Sequence, residues 1–171
     1  MRKIVVYQSG TGFTAKYAGW IAEELGCEAR EYKSVKANDL LGFDMVIYGG
    51  WIMANMVVGY DKIKALNLKN VIVFGVGMSV PSGEIAEKIA SQNQIPCDRF
   101  FYFEGGYNPD KLGFAKKMMV NMIKKSIEKK EEKTAEEQHM LASFAGADHT
   151  DREATKKLIE KVYAEGGNES K

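Results

Sequence analysis

Residues 3–14, KIVVYQSGTGFT, carry the strongest structural signal in the chain. The first six form a short β-branched run of the kind that is buried in a parallel sheet. A loop with two glycines follows, and from residue 14 to residue 25 the apolar residues recur at helical spacing, with Gly26 in the usual position after a helix. A strand, a glycine-rich turn and a helix in this order predict the first unit of an α/β fold.

The same alternation continues through the next eighty residues or so. The sequence predicts a weak, polar edge strand at 28–32, buried strands at 44–50, 70–76 and 99–103, a helical turn at 38–41, and helices at 60–66 and 82–91. Ser82 is a suitable N-cap for the last of these helices. Five strands alternating with helices favour one small doubly wound parallel sheet.

Size, charge and cysteine content narrow the functional classes. The chain has 171 residues and a net charge of +1 from 24 basic and 23 acidic residues, so it has no strong overall field of either sign. No apolar run reaches about 18 residues and no signal-peptide pattern opens the chain, so we expect a cytoplasmic location. Cys27 and Cys97 are isolated, which argues against a disulfide framework and against a zinc site.

The last third departs from the alternation, and we interpret it as a helical insertion at 105–150 within a single domain spanning 1–171. The sequence predicts a turn at 107–112 and a helix at 114–130. A mixed-charge run follows at 131–137. Thr150 and Glu153 have capping-box spacing and should open a final helix, followed by a frayed tail at 166–171.

The predicted helix at 114–130 has a broad apolar face, formed by Phe114, Met118, Met119, Met122, Ile123 and Ile127. Lysines gather on the remaining surface, at Lys117, Lys124, Lys125 and Lys129. One interpretation is a cover helix with a solvated lysine face. The other is a surface near the binding site that meets a membrane or an apolar, electron-carrying partner.

The loop after the first strand has the composition of an anion site. It comprises Ser9, Gly10, Thr11, Gly12, Phe13 and Thr14. Backbone amides at a helix N-terminus bind anions, and the three hydroxyls add donors. A tight βα turn with a hydroxyl cap is the structural alternative. Gly10-x-Gly12-x-x-Ala15 fits the dinucleotide fingerprint, with Glu31 near the ribose position, but the chain lacks the further half-sheet. The loop best suits a terminal phosphomonoester.

The S-x-T-G-x-T loop resembles the FMN phosphate loop of the flavodoxins. The resemblance implies a flavodoxin-like α/β fold, with strand order 2-1-3-4-5, and non-covalently bound FMN. It also implies two further FMN loops, namely Gly50, Trp51, Ile52, Met53 and Ala54 after the third strand, and Val76, Gly77, Met78 and Ser79 after the fourth. Trp51 and Met78 should flank the flavin ring.

A narrower resemblance covers residues 97–127, CDRFFYFEGGYNPDKLGFAKKMMVNMIKKSI, and the GADHTD run at 146–151. Both stretches are similar to menaquinone-dependent protoporphyrinogen dehydrogenases and related flavodoxin-domain proteins. The resemblance implies an FMN-dependent oxidoreductase that passes electrons to a quinone, with peripheral membrane contact through the 114–130 helix. The alternative is a soluble flavodoxin-type electron carrier that serves a redox partner protein, and a third reading is a binding module without a cofactor.

No catalytic side chain stands out in the sequence. It shows neither a Ser-His-Asp set nor paired carboxylates in a plausible cleft, and its lysines lack the interleaved aromatics of nucleic-acid binders. His139 and His149 lie ten residues apart without a recognisable third ligand, so we predict surface or capping roles for them and no metal site. The sequence does not indicate an oligomeric state.

Overall fold

The computed structural model describes residues 1–167 of the chain, and a twisted parallel sheet lies at its centre. The long strands are β1 Lys3–Gln8, β2 Glu28–Glu31, β3 Met45–Met53, β4 Val71–Gly77 and β5 Phe100–Glu104. They are hydrogen bonded in the order β2-β1-β3-β4-β5, and every pair is parallel. This arrangement confirms the expected doubly wound order.

Residues 1–167 contain six helices, of which the first three and the last cover the two faces of the sheet. They are α1 Phe13–Leu25, α2 Tyr60–Lys64, α3 Gly83–Asn93, α4 Phe114–Glu128, α5 Ala135–Ser143 and α6 Lys156–Gly167. Short 3₁₀ turns lie at Tyr32–Ser34, Ala37–Gly42, Cys97–Arg99, Pro109–Lys111 and Glu153–Thr155. The apolar sides of α1 and α6 share one core cluster with the sheet, and α2 and α3 share the other.

Strand β1 shows why the β-branched run was a reliable signal. Val5 packs into the cluster beneath α1 and α6, whereas Ile4 and Val6 pack into the cluster beneath α2 and α3. A strand with both faces buried needs apolar residues at successive positions, not alternating ones. The helix that follows ends as predicted, because Gly26 adopts a left-handed conformation and its N–H bonds the carbonyls of Ala22 and Glu23.

The predicted loop after the third strand is wrong in its conformation. Strand β3 continues to Met53, then turns through Ala54 and Asn55, which have φ values of 49° and 60°. The chain returns as the two-residue strand Met56–Val57, which pairs antiparallel with the end of β3. Two successive residues with positive φ are the geometry of a tight hairpin turn, so this segment is a hairpin projecting beyond the sheet.

In the last third, one helix was not predicted, and the predicted capping box is wrong. The mixed-charge run at 131–137 contains the start of α5. There Thr134 Oγ1 accepts the Glu137 N–H at 3.2 Å, and Glu137 Oε2 accepts the Thr134 N–H at 3.0 Å. The Thr150–Glu153 capping box is not formed. The Thr150 hydroxyl donates to Asp148, and the Asp151 carboxylate accepts the Glu153 N–H instead.

The insertion also has a small ladder of its own, in which the two-residue strands Gly106–Tyr107 and Ala147–Asp148 pair antiparallel. The predicted frayed tail at 166–171 lies mostly outside the described residues. Among residues 1–167, no helix has the length and apolar character needed to cross a membrane.

Candidate functional site

A cavity of about 540 Å³ lies at the carboxyl ends of β1, β3 and β4. Cavities of roughly 300–1,000 Å³ are typical of small-molecule and cofactor sites. In open α/β sheets, ligands bind at this edge and near the point where the strand order reverses, which here falls between β1 and β3. The position of the cavity therefore marks it as the candidate binding site.

The structure brings most of the predicted site residues to this cavity. Twelve of the fifteen line it, namely Gly10, Thr11, Phe13, Thr14, Trp51, Ile52, Met53, Ala54, Val76, Gly77, Met78 and Ser79. They come from three loops that are distant in sequence. The loops meet because each follows a parallel strand of the same sheet.

The other three predicted residues shape the loops without lining the cavity. Ser9 Oγ accepts the N–H of Gly12 at 3.1 Å, which closes the first loop on itself. Gly12 has φ +104°, a backbone conformation that favours glycine. At Gly50, a Cβ would lie 2.7 Å from both Val57 Cγ1 and the Val58 carbonyl oxygen, so the hairpin requires a glycine there.

The N-terminus of α1 is arranged to receive an anion. Gly12 occupies the N-cap position, and no side chain caps the helix. The first amides of a helix have no partner within it, and the helix dipole adds positive potential at the same end. Thr11 and Thr14 flank these amides and line the cavity. The loop can therefore surround a phosphate with backbone and hydroxyl donors.

The cation beside this loop is not the one nearest in sequence. Lys16 Nζ pairs with Asp148 Oδ2 at 2.8 Å and lies 5.1 Å from the centre of the Trp20 ring. Lys111, from the 3₁₀ turn in the insertion, instead places its Nζ 3.6 Å from the point that a Cβ of Gly12 would occupy. Sequence reasoning missed Lys111, because its approach depends on how the insertion folds back over the first loop.

The loop after β4 is fixed by a buried tyrosine. Tyr102 of β5 donates its hydroxyl to the Ser79 carbonyl and accepts the Ser79 N–H, both at 3.0 Å. Burial raises the pKa of Tyr102 to about 12, so the hydroxyl keeps its proton at ordinary pH and makes both bonds. Ser79 Oγ also donates to Glu136 Oε1 of α5 at 2.6 Å. Both Tyr102 and Glu136 line the cavity, and no motif in the sequence points to either.

The insertion forms one side of the cavity, as expected for the 114–130 helix. Met119, Val120 and Ile123 of α4 line it together with Met140 and Phe144 from the region of α5. Within the single chain the apolar face of α4 is only partly covered, so burial against the sheet's own helices is wrong, whereas burial of this face in a dimer stays an alternative prediction. Ile127 is buried, but the side chains of Phe114 and Met122 are 80% and 69% exposed.

A family model described as "Flavodoxin domain" matches residues 4–135. No curated protein shows a significant sequence match. Solved structures that resemble the chain include a flavodoxin from the domain Archaea, with 19% identity, a TM-score of 0.45, and coverage of 73% of this chain and 98% of that one. A second is two-electron reduced flavodoxin from Megasphaera elsdenii, with 14% identity, a TM-score of 0.44, and coverage of 85% and 99%. A third is oxidised flavodoxin 1 from Bacillus cereus, with 16% identity, a TM-score of 0.44, and coverage of 72% and 98%.

Proposed function

This chain belongs to the flavodoxin domain family, and on that premise we propose that it is an oxidoreductase that passes electrons through FMN to a quinone. FMN is the cofactor of the family, and electron transfer is its chemistry. The proposal adds the acceptor, a quinone, and the kind of enzyme, one resembling the protoporphyrinogen dehydrogenases. In that class the electron donor is a reduced porphyrin precursor.

The residues around the cavity fit FMN. The uncapped N-terminus of α1, the hydroxyls of Thr11 and Thr14, and the Lys111 ammonium are donors suited to a phosphate dianion. Trp51 and Met78 lie on two of the loops that line the apolar part of the cavity. A bound flavin supplies the redox chemistry, whereas the protein supplies orientation, electrostatics and exclusion of water.

The observation that carries the proposed acceptor is the apolar face of α4 at the cavity. One edge of this face lines the cavity through Met119, Val120 and Ile123, and the other edge, with Met118 and Met122, points to solvent. Contiguous exposed apolar surface of this kind marks an interaction site, and methionine side chains adapt to apolar partners of different shapes. A planar apolar acceptor reaching the cavity along this face would remain in apolar surroundings.

The charges on α4 suit a membrane surface that holds such an acceptor. Lys117, Lys125 and Lys129 are exposed, and Lys124 pairs with Glu128 only at 3.9 Å. Each lysine that reaches an anionic bilayer contributes roughly 1 kcal/mol of binding free energy. Quinones with long tails reside in the bilayer, so a weak peripheral contact through α4 would bring the cavity to its acceptor.

A paired substitution on α4 tests this function. We expect Met118→Gln with Met122→Gln to slow reoxidation of the reduced protein by a menaquinone analogue about tenfold or more, and to weaken sedimentation with anionic vesicles. FMN affinity should stay within about twofold, because both side chains lie on the exposed edge. Leu41→Gln is the matched control, since Leu41 is an exposed apolar residue, 62% exposed, in the 3₁₀ turn Ala37–Gly42. Equal quinone rates in all three proteins would contradict the proposal.

The second candidate is an electron carrier that serves another protein. It is favoured by a second apolar patch at the same edge, where Met53 and Met56 of the hairpin are 42% and 45% exposed. Two patches flanking the cavity could form the core of a protein–protein contact. An FMN-loaded protein that exchanges electrons with a protein acceptor such as cytochrome c, but not with quinones, would establish this function instead.

A further inference from the structure

A cluster of possible metal ligands lies beside the cavity, at the carboxyl end of β5. Glu104 ends the strand, His139 lies on α5, and His149 follows the short strand Ala147–Asp148. One carboxylate oxygen and one ring nitrogen from each histidine all lie within 4.8 Å of one another. The two histidines alone do not make a metal motif, but the fold supplies the third ligand from a strand 35 residues away from His139.

We propose that Glu104, His139 and His149 bind a single divalent transition-metal ion, for which Zn²⁺ is the best fit. Two imidazoles and one carboxylate form a common protein ligand set for zinc and related metals, with water in the remaining position. Ligands about 2.0–2.1 Å from a tetrahedral ion lie roughly 3.3 Å apart. His139 Nε2 and Glu104 Oε1 are hydrogen bonded at 2.7 Å, so the two atoms would have to separate by about 0.6 Å to admit an ion between them.

The backbones of two of the three ligands, Glu104 and His149, are held together independently of their side chains. The His149 N–H donates to the Gly105 carbonyl at 2.9 Å, next to the ladder of Gly106–Tyr107 with Ala147–Asp148. The Tyr17 hydroxyl donates to the Glu104 carbonyl at 2.7 Å. Ligand positions fixed in this way reduce the ordering that metal binding would otherwise require.

Ser143 links the backbone of α5 to the side chain of His149. Its hydroxyl donates to the His139 carbonyl at 3.0 Å and lies 3.2 Å from His149 Nε2. The two imidazole rings lie close, with their centres 4.9 Å apart. A hydrogen bond that attaches α5 to the end of β5 needs only Glu104 and His139. The second imidazole near the same carboxylate is the feature that favours a cation site over a hydrogen bond alone.

The bound ion would attach the insertion to the framework. It would join α5 and the segment after it to the end of β5, and therefore fix the wall of the cavity that contains Met140 and Phe144. We expect a structural effect that is measurable without any redox assay, because an ion that binds only the folded state stabilises it.

Calorimetric titration of the chelator-treated protein with ZnCl₂ tests this site. We expect one equivalent to bind, and a rise in Tm of about 5–10 °C when Zn²⁺ is present at 100 times its Kd. His139→Ala and His149→Ala should each weaken binding by about 100-fold or more. Cys97→Ser is the control, because Cys97 is an exposed thiol that could bind zinc elsewhere on the surface; its affinity should equal that of the unmodified protein.

Glu104→Gln keeps the shape of the third ligand and removes its charge, so it serves if either alanine variant fails to fold by circular dichroism. This variant should also weaken Zn²⁺ binding by about 100-fold. Absence of Zn²⁺ binding by the unmodified protein would overturn the proposal. Binding that survives all three ligand substitutions, or that is lost with Cys97→Ser, would overturn it equally.

Discussion

The framework at 3–104 and the insertion at 105–150 carry similar apolar patterns with different outcomes. In α1, Tyr17, Ala18 and Ile21 are fully buried against the sheet. In α4, the equivalent spacing leaves Phe114 and Met122 largely exposed. The helical period predicts a helix and its apolar face correctly in both regions. What covers that face depends on tertiary position, and α4 lies at the cavity instead of over the sheet.

The interactions within the framework differ in kind from those that attach the insertion to it. Apolar packing holds the framework together, whereas polar contacts tie the insertion to it, namely Lys16–Asp148, Ser79–Glu136 and His139–Glu104. Of these contacts, Lys16–Asp148 is an exposed ion pair, which contributes only about 0–1 kcal/mol, less than the burial of an apolar side chain. Substitutions in the buried core of the framework should therefore change stability far more than substitutions at the contacts of the insertion.

The largest effect is expected for Gly49→Ala in β3. A Cβ at this position would lie 2.0 Å from Cζ of Phe74, which is completely buried. We expect the free energy of unfolding in urea to fall by about 3 kcal/mol or more, because the close-packed core cannot absorb the added methyl group. Gly19→Ala on the exposed side of α1 is the control, since its Cβ meets nothing within 4 Å, and it should be neutral or stabilising by up to about 1 kcal/mol. A small loss in Gly49→Ala would show that the sheet is looser than described.

Thr11→Glu should abolish FMN binding while leaving the fold intact. It places a carboxylate beside the N-terminus of α1, where we infer that the FMN phosphate lies. Repulsion between the two anions should weaken the Kd at least 100-fold, measured by quenching of FMN fluorescence on titration of the apoprotein. Thr11→Ser retains the hydroxyl and should bind within a few-fold of the unmodified protein. Unchanged affinity in the glutamate variant would contradict the assignment of this loop.

Lys111→Gln tests whether the insertion contributes to the same phosphate. Lys111 is exposed, so its charge is partly screened and we expect only a three- to tenfold weaker FMN Kd, about 1 kcal/mol. The loss should diminish in high salt. Lys117→Gln on α4 is the control and should leave FMN affinity unchanged. Equal affinities for both variants would assign phosphate binding to the framework alone.

The smallest effect is expected for Asp148→Asn, which removes the ion pair with Lys16. Burial opposes ionisation of this carboxyl, but its bonds with Lys16 and Thr150 outweigh burial and lower its pKa to about 2. Because the folded pKa is depressed, the stabilisation is present above about pH 4 and lost as the pH falls towards 2. Asp148 is half exposed, so the loss in urea stability at pH 6 should be below about 1 kcal/mol. The difference between the variant and the unmodified protein should shrink at pH 3; a constant difference would exclude the ion pair as its cause.

Much of the framework could be predicted because its signals are local. The β-branched runs at β1 and β4 lie between turn residues, and each is long enough to be a buried strand. The extension of β3 to Met53 could not be predicted, because the turn at Ala54 and Asn55 lacks the usual glycine. The start of α5 could have been predicted, since Thr134 and Glu137 have capping-box spacing. It was missed because the two residues lie within a mixed-charge run.

The site residues of the framework could likewise be predicted from the sequence, whereas those of the insertion could not. The meeting of the three loops follows from the rule that parallel strands end at one edge, so Thr11, Trp51 and Met78 could be placed together from sequence. The sequence did not predict the roles of Lys111 and Glu136, or the proximity of Glu104 to the two histidines. Each of these contacts depends on the path of the insertion. That path is set by weak polar contacts and a two-residue ladder, which leave no periodic pattern in the sequence.

Hydrogen exchange with and without FMN tests most directly whether the cavity joins both regions. We expect slower exchange on FMN binding at the amides of residues 9–14 and 76–79 in the framework, and at 119–123 in α4, with little change in the distant edge strand β2. The framework loops should show the stronger protection, because they supply the phosphate donors. Protection that spares either residues 9–14 or residues 119–123 would contradict a binding cavity shared by the two regions.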